Sequence, residues 1–458
     1  MSKIKFLRFG HGTPVGRAAR FAALALLPFA AATQAAGPCD IYEAAKTPCV
    51  AAHSTTRALF AAYNGPIYQV RRTSDGATKD IGLVAVGGVV KSATQDSFLN
   101  GKAGTISIIY DQTANHNDLK KSGVMYWLKN GGKEANATSG QMKMDGRTAY
   151  GVAVDAYATV AYNNVKTKGV ATGNQAESIY MVVDGKRFSS SCCFDYGNSE
   201  TTGNDDGNGT MEALYWGTDV GWGGYGMGNG PWVGADLENG VFKGNAGGWL
   251  WGDTHKTPWP TALSVVANFA TTMLKGPSDN SFKLKACDAQ TGKLSTMWDG
   301  TRPTGGYSPK KLEGAIILGT GGDGSNAGTG TFYEGAMTIG NPPDSADDKV
   351  QANIVAAGYG RATISVVPRS ESGGAARLRY SPGTSQAVVE YSLTESGRME
   401  LEIVDLRGNR VGRVGAGEVG PGLHRVAWDA SKASNGVYLA RLLRDGAVSW
   451  SGSVMIDK

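Results

Sequence analysis

Short runs rich in Val, Ile, Tyr and Thr, separated by Gly, Asn and Asp clusters, constrain this chain more than any other feature. Examples are "ISIIYDQ" (106–112), "YGVAVDAYATVAY" (150–162), "SIYMVVDG" (178–185) and "GAIILG" (314–319). Each run is the length of a strand and too short for a typical helix, and the clusters between them carry the turn-forming residues. Glycine makes up 66 of 458 residues, about twice its usual share, with no collagen period. The pattern predicts a large antiparallel all-β protein of sandwich type and excludes repeated βαβ units. Two helices are expected. One covers "STTRALFAAY" (54–63), with Ser54 or Thr55 as its cap, and the other covers "DDKVQANIVAAG" (347–358).

The first 36 residues read as an export signal. Lys3, Lys5, Arg8, Arg17 and Arg20 precede the apolar "FAALALLPFAAA", and small residues follow up to Gly37. The whole chain has 45 Lys+Arg against 40 Asp+Glu, so the five leader cations account for the entire excess. The remainder is charge-balanced, with nothing to suggest nucleic acid as a partner. The expected location is outside the cell or on a bacterial cell surface. Basic-residue usage then divides the chain. Residues 37–367 hold 21 Lys and 7 Arg, whereas 368–458 hold 2 Lys and 10 Arg. The switch falls in a Pro/Gly/Ser-rich stretch, which predicts a sandwich over 37–360, a linker over 361–384 and a small Ig-like sandwich over 385–458.

Five cysteines in an exported chain need partners. Cys39 and Cys49 are spaced to close a local loop. Cys192 and Cys193 are adjacent, and either they pair with each other, leaving Cys287 free, or Cys287 pairs with one of them. Six of ten tryptophans fall between Trp216 and Trp259, among glycines. That concentration suits a cleft stacking on sugar faces, the competing reading being ordinary core. In "GPWVGADLENG" (230–240), strand parity would put Trp232, Asp236 and Glu238 on one face. Paired carboxylates beside an aromatic are glycosidase equipment, although two ordinary acids on a solvated edge would look the same. "GAIILGTGGDGSN" contains Gly319, Gly321 and Gly324 in G-x-G-x-x-G spacing, but the strand-like "SNAGTGTFYEGAM" follows where a dinucleotide site needs a helix. We read it as a tight loop presenting Asp323. His53, His116, His255 and His424 are scattered without metal-ligand spacing, and no metal or cofactor is implied.

"GPCDIYEAAKTPCVAAHSTTRAL", "IIYDQTANHNDL", "CCFDYGNSET", "GPWVGADLENGVF" and "EGAIILGTGGDGSNAGTGTFYEGAMT" together resemble the α-L-arabinofuranosidase B catalytic domain of glycoside hydrolase family 54. The resemblance runs in order from Gly37 to Gly358. It implies a concanavalin-like, jelly-roll β-sandwich and retaining hydrolysis of terminal α-L-arabinofuranosyl groups on arabinoxylan, arabinan or related side chains. By position, Glu238 matches the nucleophile and Asp323 the general acid/base. Asp236, Asn239 and Gly322 match sugar contacts, and Trp222 matches an aromatic near the sugar. The resemblance also implies Cys39–Cys49 and Cys192–Cys193 disulfides, the second forming an apolar wall of the sugar site, with Cys287 unpaired.

Three departures stand out. "DSFLNGKAGTISI" lacks a cysteine pair that relatives often carry, and Gly240 stands where an asparagine often meets the sugar. The tail resembles Ig-like sorting domains of type IX secretion and the FlgD-like fold, on "LEIVDLRGNRV", "GLHRVAWDA" and "NGVYLARL", where relatives often have a β-trefoil. Secretion machinery is thus an expected partner of the tail. The alternative function is a non-catalytic lectin binding arabinose-containing polysaccharide. Presence of both Glu238 and Asp323 favours the enzyme.

Overall fold

The computed structural model describes residues 35–224, 226–244, 259–360, 376–381, 385–405 and 409–456. The export signal expected over 1–36 falls almost wholly outside them, as do most of the expected linker, Tyr225, Trp249 and Trp251. Up to residue 360 the strands form two large antiparallel sheets. One has seven strands, ordered Cys49–Ser54, Gly330–Ile339, Glu177–Asp184, Phe269–Gly276, Ser281–Asp288 and Ser295–Thr301, with Val152–Val154 added on Gly330–Ile339. The other has ten strands. Its order begins Val241–Phe242, Trp232–Asp236, Glu212–Gly217, Asp195–Ser199 and Ala315–Leu318, and it ends at Thr78–Ile81.

The inward faces of the two sheets share one core, as a β-sandwich requires. Tyr196 of the ten-stranded sheet meets Phe332 of the seven-stranded sheet with ring centroids 4.9 Å apart. His53 Nδ1 lies 3.0 Å from the Tyr196 hydroxyl across the same gap. One buried charge is closely paired. Arg57 donates to Glu334 through Nε and Nη2, both at 2.6 Å, and the Tyr359 hydroxyl donates to Glu334 at 2.7 Å. A buried carboxylate met by a two-pronged guanidinium and a phenol keeps its charge satisfied; removing one partner of such a pair typically costs about 3–5 kcal/mol.

The expected helix over 347–358 is present as Asp344–Ala357, closed by Gly358 at φ +79°. The expected helix over 54–63 is absent. Its amides are taken by distant partners: Ala58 N–H donates to Gly88 O, Leu59 N–H to Gln112 Oε1 and Ala61 N–H to Asp40 Oδ2. The Ser54 hydroxyl accepts from Thr56 and Arg57 N–H as a helix cap would, but no helix follows. Two short helices, Pro38–Ala44 and Ser92–Leu99, were not anticipated.

Towards the C-terminus, strands Ala376–Ser381, Gln386–Leu393 and Gly422–Asp429 form a three-stranded sheet. Gly397–Asp405, Arg410–Val419, Gly436–Arg444 and Ala447–Ile456 form a four-stranded sheet. They share a separate apolar cluster that includes Val389, Leu401, Ile403, Trp428 and Ile456. Strand Ala376–Ser381 lies within the stretch read as linker.

Candidate active site

Antiparallel pairing gathers the site at one end of neighbouring strands. Tyr196 pairs with Leu318, so the residues just before strand Asp195–Ser199 meet the loop just after strand Ala315–Leu318. The first segment carries Cys192–Cys193 and the second carries Asp323. Across the sheet, Gly197 faces Ala213, which faces Asp236. Asp195, two residues from Gly197, shares that side of the sheet. Tyr215 stands directly opposite Asp195, and the Asp195 carboxyl, buried and close to the charge of Asp236, is pushed well above the usual carboxylate range.

Glu238 arrives by a different route from the one parity predicts. The strand ends at Asp236, and Leu237–Gly240 form a tight reversal into Val241–Phe242, with Leu237 N–H donating to Gly240 O at 3.1 Å. Glu238 and Asn239 both have positive φ, +63° and +55°, the requirement of a two-residue hairpin turn of the primed type. Glycine or asparagine normally fills such positions, and a glutamate at φ +63° is a strained placement of the kind found at functional sites. The shared-face argument therefore holds for Trp232 and Asp236, while the turn delivers Glu238. Its amide donates to Asp236 Oδ1 at 3.2 Å.

Asp323 sits in a closed glycine loop. Gly324 N–H donates to Gly321 O, Gly321 N–H donates to Ser325 O, and Ser325 N–H donates to Asp323 Oδ1 at 2.9 Å. Strand Gly330–Ile339 follows, with no helix to receive a pyrophosphate. Gly322 is needed for closeness, since a Cβ there would fall 1.8 Å from Glu200 Oε2. The missing side chain makes room for Glu200 behind the loop.

These pieces line one cleft of about 1120 Å³. Every residue expected at the site reaches it: Trp222, Asp236, Glu238, Asn239, Gly322, Asp323, Cys192 and Cys193. Cys192 and Cys193 are joined through their sulfurs and by a cis peptide, Cys39 is joined to Cys49, and Cys287 is a buried free thiol. Cys193 Sγ lies 3.3 Å from Asp236 Oδ2 and 3.5 Å from Ser325 Oγ, so the disulfide bridges the space between the Glu238 hairpin and the Asp323 loop. Asp195, Asp236 and the two sulfurs are close enough to suggest a metal cluster. Bonded to each other, however, the cysteines offer no thiolate, and two carboxylates alone do not make that site.

The tryptophan cluster divides. Trp222 lines the cleft, and its carbonyl accepts from Val241 N–H. Trp216 is buried core, and Trp232 is buried with its indole N–H donating to Met227 O at 3.0 Å. At Gly240 a Cβ would stand 2.3 Å from Phe242 Cζ, so the phenyl ring fills the space beside that position.

Sequence reasoning missed the charged groups behind the cleft. Lys243 is fully buried, donating to Asp219 O at 2.7 Å and Val241 O at 3.0 Å, with its ammonium over the Tyr215 ring. Burial pushes it down to about 8, against the pull of Asp219, Asp236 and Asp195. Glu200 accepts from the Thr210 hydroxyl at 2.6 Å, and its charge is felt at Glu238. Burial raises both carboxyls of this pair. Glu238 is raised further by the charges of Glu200, Asp236 and Asp323, while the bond from Thr210 holds Glu200 lower. The Glu238 carboxyl is thus held well above the ordinary carboxylate range by burial and by its acidic neighbours, first among them Glu200. Activity that depends on ionised Glu238 is lost as pH falls through its raised pKa. Glu200→Gln removes one neighbouring charge and adds an amide donor, both favouring the carboxylate. The acid limb of the kcat/KM profile is expected to move down by about one pH unit; an unmoved limb would separate Glu200 from Glu238.

Comparison with known proteins agrees with this geometry. The family model described as α-L-arabinofuranosidase B, catalytic, matches residues 38–360. α-L-Arabinofuranosidase B of Emericella nidulans is 47% identical over 359 residues, covering 77% of this chain and 68% of that protein. α-L-Arabinofuranosidase of Hypocrea jecorina is 46% identical over 350 residues, covering 75% and 67%. A GH54 α-L-arabinofuranosidase structure soaked with a cyclic sulfate inhibitor superposes with a TM-score of 0.67 at 40% identity, over 79% of this chain and 73% of that one. An arabinofuranosidase complexed with arabinofuranosyl-α-1,2-xylobiose gives the same TM-score at 39% identity. A β-sandwich with two acids on glycine-rich turns beside a vicinal disulfide, matched over this length, makes the chain a glycoside hydrolase belonging to the α-L-arabinofuranosidase B family, GH54.

Proposed function

We propose that this protein is an exported, retaining exo-α-L-arabinofuranosidase that removes terminal arabinofuranose from arabinoxylan, arabinan or related side chains. The observation that carries the reading is the convergence of Glu238, Asp323 and the Cys192–Cys193 disulfide on one cleft. Asp323, protonated, gives its proton to the glycosidic oxygen as the Glu238 carboxylate attacks the anomeric carbon. The carbon–oxygen bond to the leaving group breaks and an arabinosyl ester forms. Asp323, now a carboxylate, takes a proton from water, which attacks the same carbon and frees Glu238 with net retention. Retaining chemistry wants its two carboxyls about 5–5.5 Å apart. Glu238 and Asp323 line the same cleft, which supports this geometry. The disulfide offers the sugar an apolar wall, and Asp236, Asn239, Trp222 and the Gly322 backbone are assigned to sugar contacts. The relative solved with arabinofuranosyl-α-1,2-xylobiose supports a decorated xylan as substrate.

Export rests on the cationic and apolar leader, and the C-terminal strands with their own core are assigned to sorting or spacing. One experiment addresses the whole reading. Cells expressing the full chain are fractionated, and each fraction receives 4-nitrophenyl α-L-arabinofuranoside while proton NMR follows the first sugar released. We expect activity in the medium or at the cell surface, with α-arabinofuranose appearing before the β anomer. An initial β product would sink the double displacement, and activity confined to the cytosol would sink export.

A further inference from the structure

Three large aromatic side chains stand exposed at the mouth of the cleft: Tyr126 at 49%, Trp127 at 60% and Tyr157 at 75%. Exposed rings of this size, grouped at a site, mark a surface awaiting a partner. They are not loose. Met125 and Leu128 are buried on either side of the pair, and Met125 N–H donates to Leu128 O, so the chain turns with Tyr126 and Trp127 at its tip. Gly203 and Gly324 let this turn seat. A Cβ at Gly324 would lie 2.9 Å from Met125 Cβ and 3.1 Å from Leu128 Cγ.

The main-chain bonds of these aromatics tie them to the acid. Trp127 N–H donates to Asp323 O at 2.9 Å, and Tyr157 N–H donates to Asn326 O at 2.7 Å. Tyr126 N–H donates to Gly203 O at 2.8 Å. Tyr157 holds φ +58°, an uncommon conformation for an aromatic residue. Tyr126 and Trp127 meet edge to face with centroids 4.9 Å apart, and Lys129 Nζ sits 4.4 Å over the Tyr126 ring. The rings are thus pre-set before any ligand arrives, which limits the entropy lost on binding.

We infer that Tyr126, Trp127 and Tyr157 form a leaving-group subsite that stacks on a pyranose ring of the polysaccharide backbone. The inference rests on the proposed function, because the group attached to the oxygen protonated by Asp323 must lie on the side of the cleft these rings occupy. A pyranose fits the chemistry of the mouth. Its C–H face stacks on flat aromatics, and its hydroxyls find Asn204, Asp205 and Asn326 in the same lining.

The test compares kcat/KM on arabinofuranosyl-xylotriose with kcat/KM on methyl α-L-arabinofuranoside, measured on the same preparation. A fraction of misfolded protein lowers both values equally and cancels from their ratio. Trp127→Ala is expected to lower the ratio about tenfold, mostly through KM on the oligosaccharide. Tyr157→Ala should lower it by a smaller factor, and Trp127→Phe should hold it within about twofold of the parent. An active parent whose ratio is unchanged in both alanine variants overturns the subsite alone. A folded parent that hydrolyses neither compound overturns the proposed function and the subsite with it.

Discussion

Glu238→Ala is expected to lower kcat on 4-nitrophenyl α-L-arabinofuranoside by on the order of 10⁵-fold, the scale seen when a covalent nucleophile is deleted. No ester can form, and the buried turn offers no substitute within reach. Glu200 and Asp236 are the neighbouring carboxyls, but Glu200 is held behind the glycine loop by the Thr210 hydroxyl, and Asp236 is engaged with the Glu238 amide and the disulfide. Azide is small enough to enter the space left by the side chain. It should attack the anomeric carbon directly and release an arabinosyl azide of inverted configuration. Recovery of the inverted azide assigns Glu238 as nucleophile. A variant that keeps more than a few per cent of parental turnover would remove Glu238 from that role. Because Glu238 sits at φ +63°, the alanine variant should be checked for an unaltered melting transition before its rate is interpreted.

Asp323→Ala should cost about 10²–10⁴-fold, and the loss should depend on the leaving group. A xylose alkoxide cannot depart without a proton, so the oligosaccharide rate falls the full extent. 4-Nitrophenolate departs unaided, so ester formation survives while its hydrolysis, deprived of a base, becomes limiting. The variant is therefore expected to show a burst of nitrophenol, a lowered KM and acceleration by azide. In contrast to Glu238→Ala, its azide product should have retained configuration. Equal losses on both substrates, with no burst, would move the acid/base role to another residue. The loop supports a specific role for this carboxyl, since Ser325 N–H fixes Asp323 Oδ1 from below.

Much of this was legible in the sequence, for reasons that can be traced. Short apolar runs and glycine punctuation located strands such as Glu177–Asp184 and Ala315–Leu318 because short β runs carry their own boundaries. The helix Asp344–Ala357 was legible through its apolar spacing and terminal Gly358. The expected helix over 54–63 failed because its amides are claimed by Gly88, Gln112 and Asp40, partners that local propensity does not see. Parity was carried two residues too far at Glu238, where "ENG" is itself a turn signal. Glu200 and Lys243 were illegible for a different reason: each looks ordinary in sequence and acquires its role from strand register and burial. The tip at Tyr126 and Trp127 left a trace, an aromatic pair between Gly123 and Gly131 inside otherwise apolar neighbours, that could have been read as a presented turn.

The bonds from Trp127 and Tyr157 to the Asp323 loop are made by backbone atoms alone. Side chains at those positions can therefore be exchanged while the scaffold that aims the acid stays intact. On the proposed reading, recognition of the leaving group is mechanically uncoupled from the chemistry of cleavage, so that exchanging rim side chains is expected to change the preferred leaving group without retuning the reaction. A library confined to positions 126, 127 and 157 is accordingly a natural starting point for redirecting this enzyme.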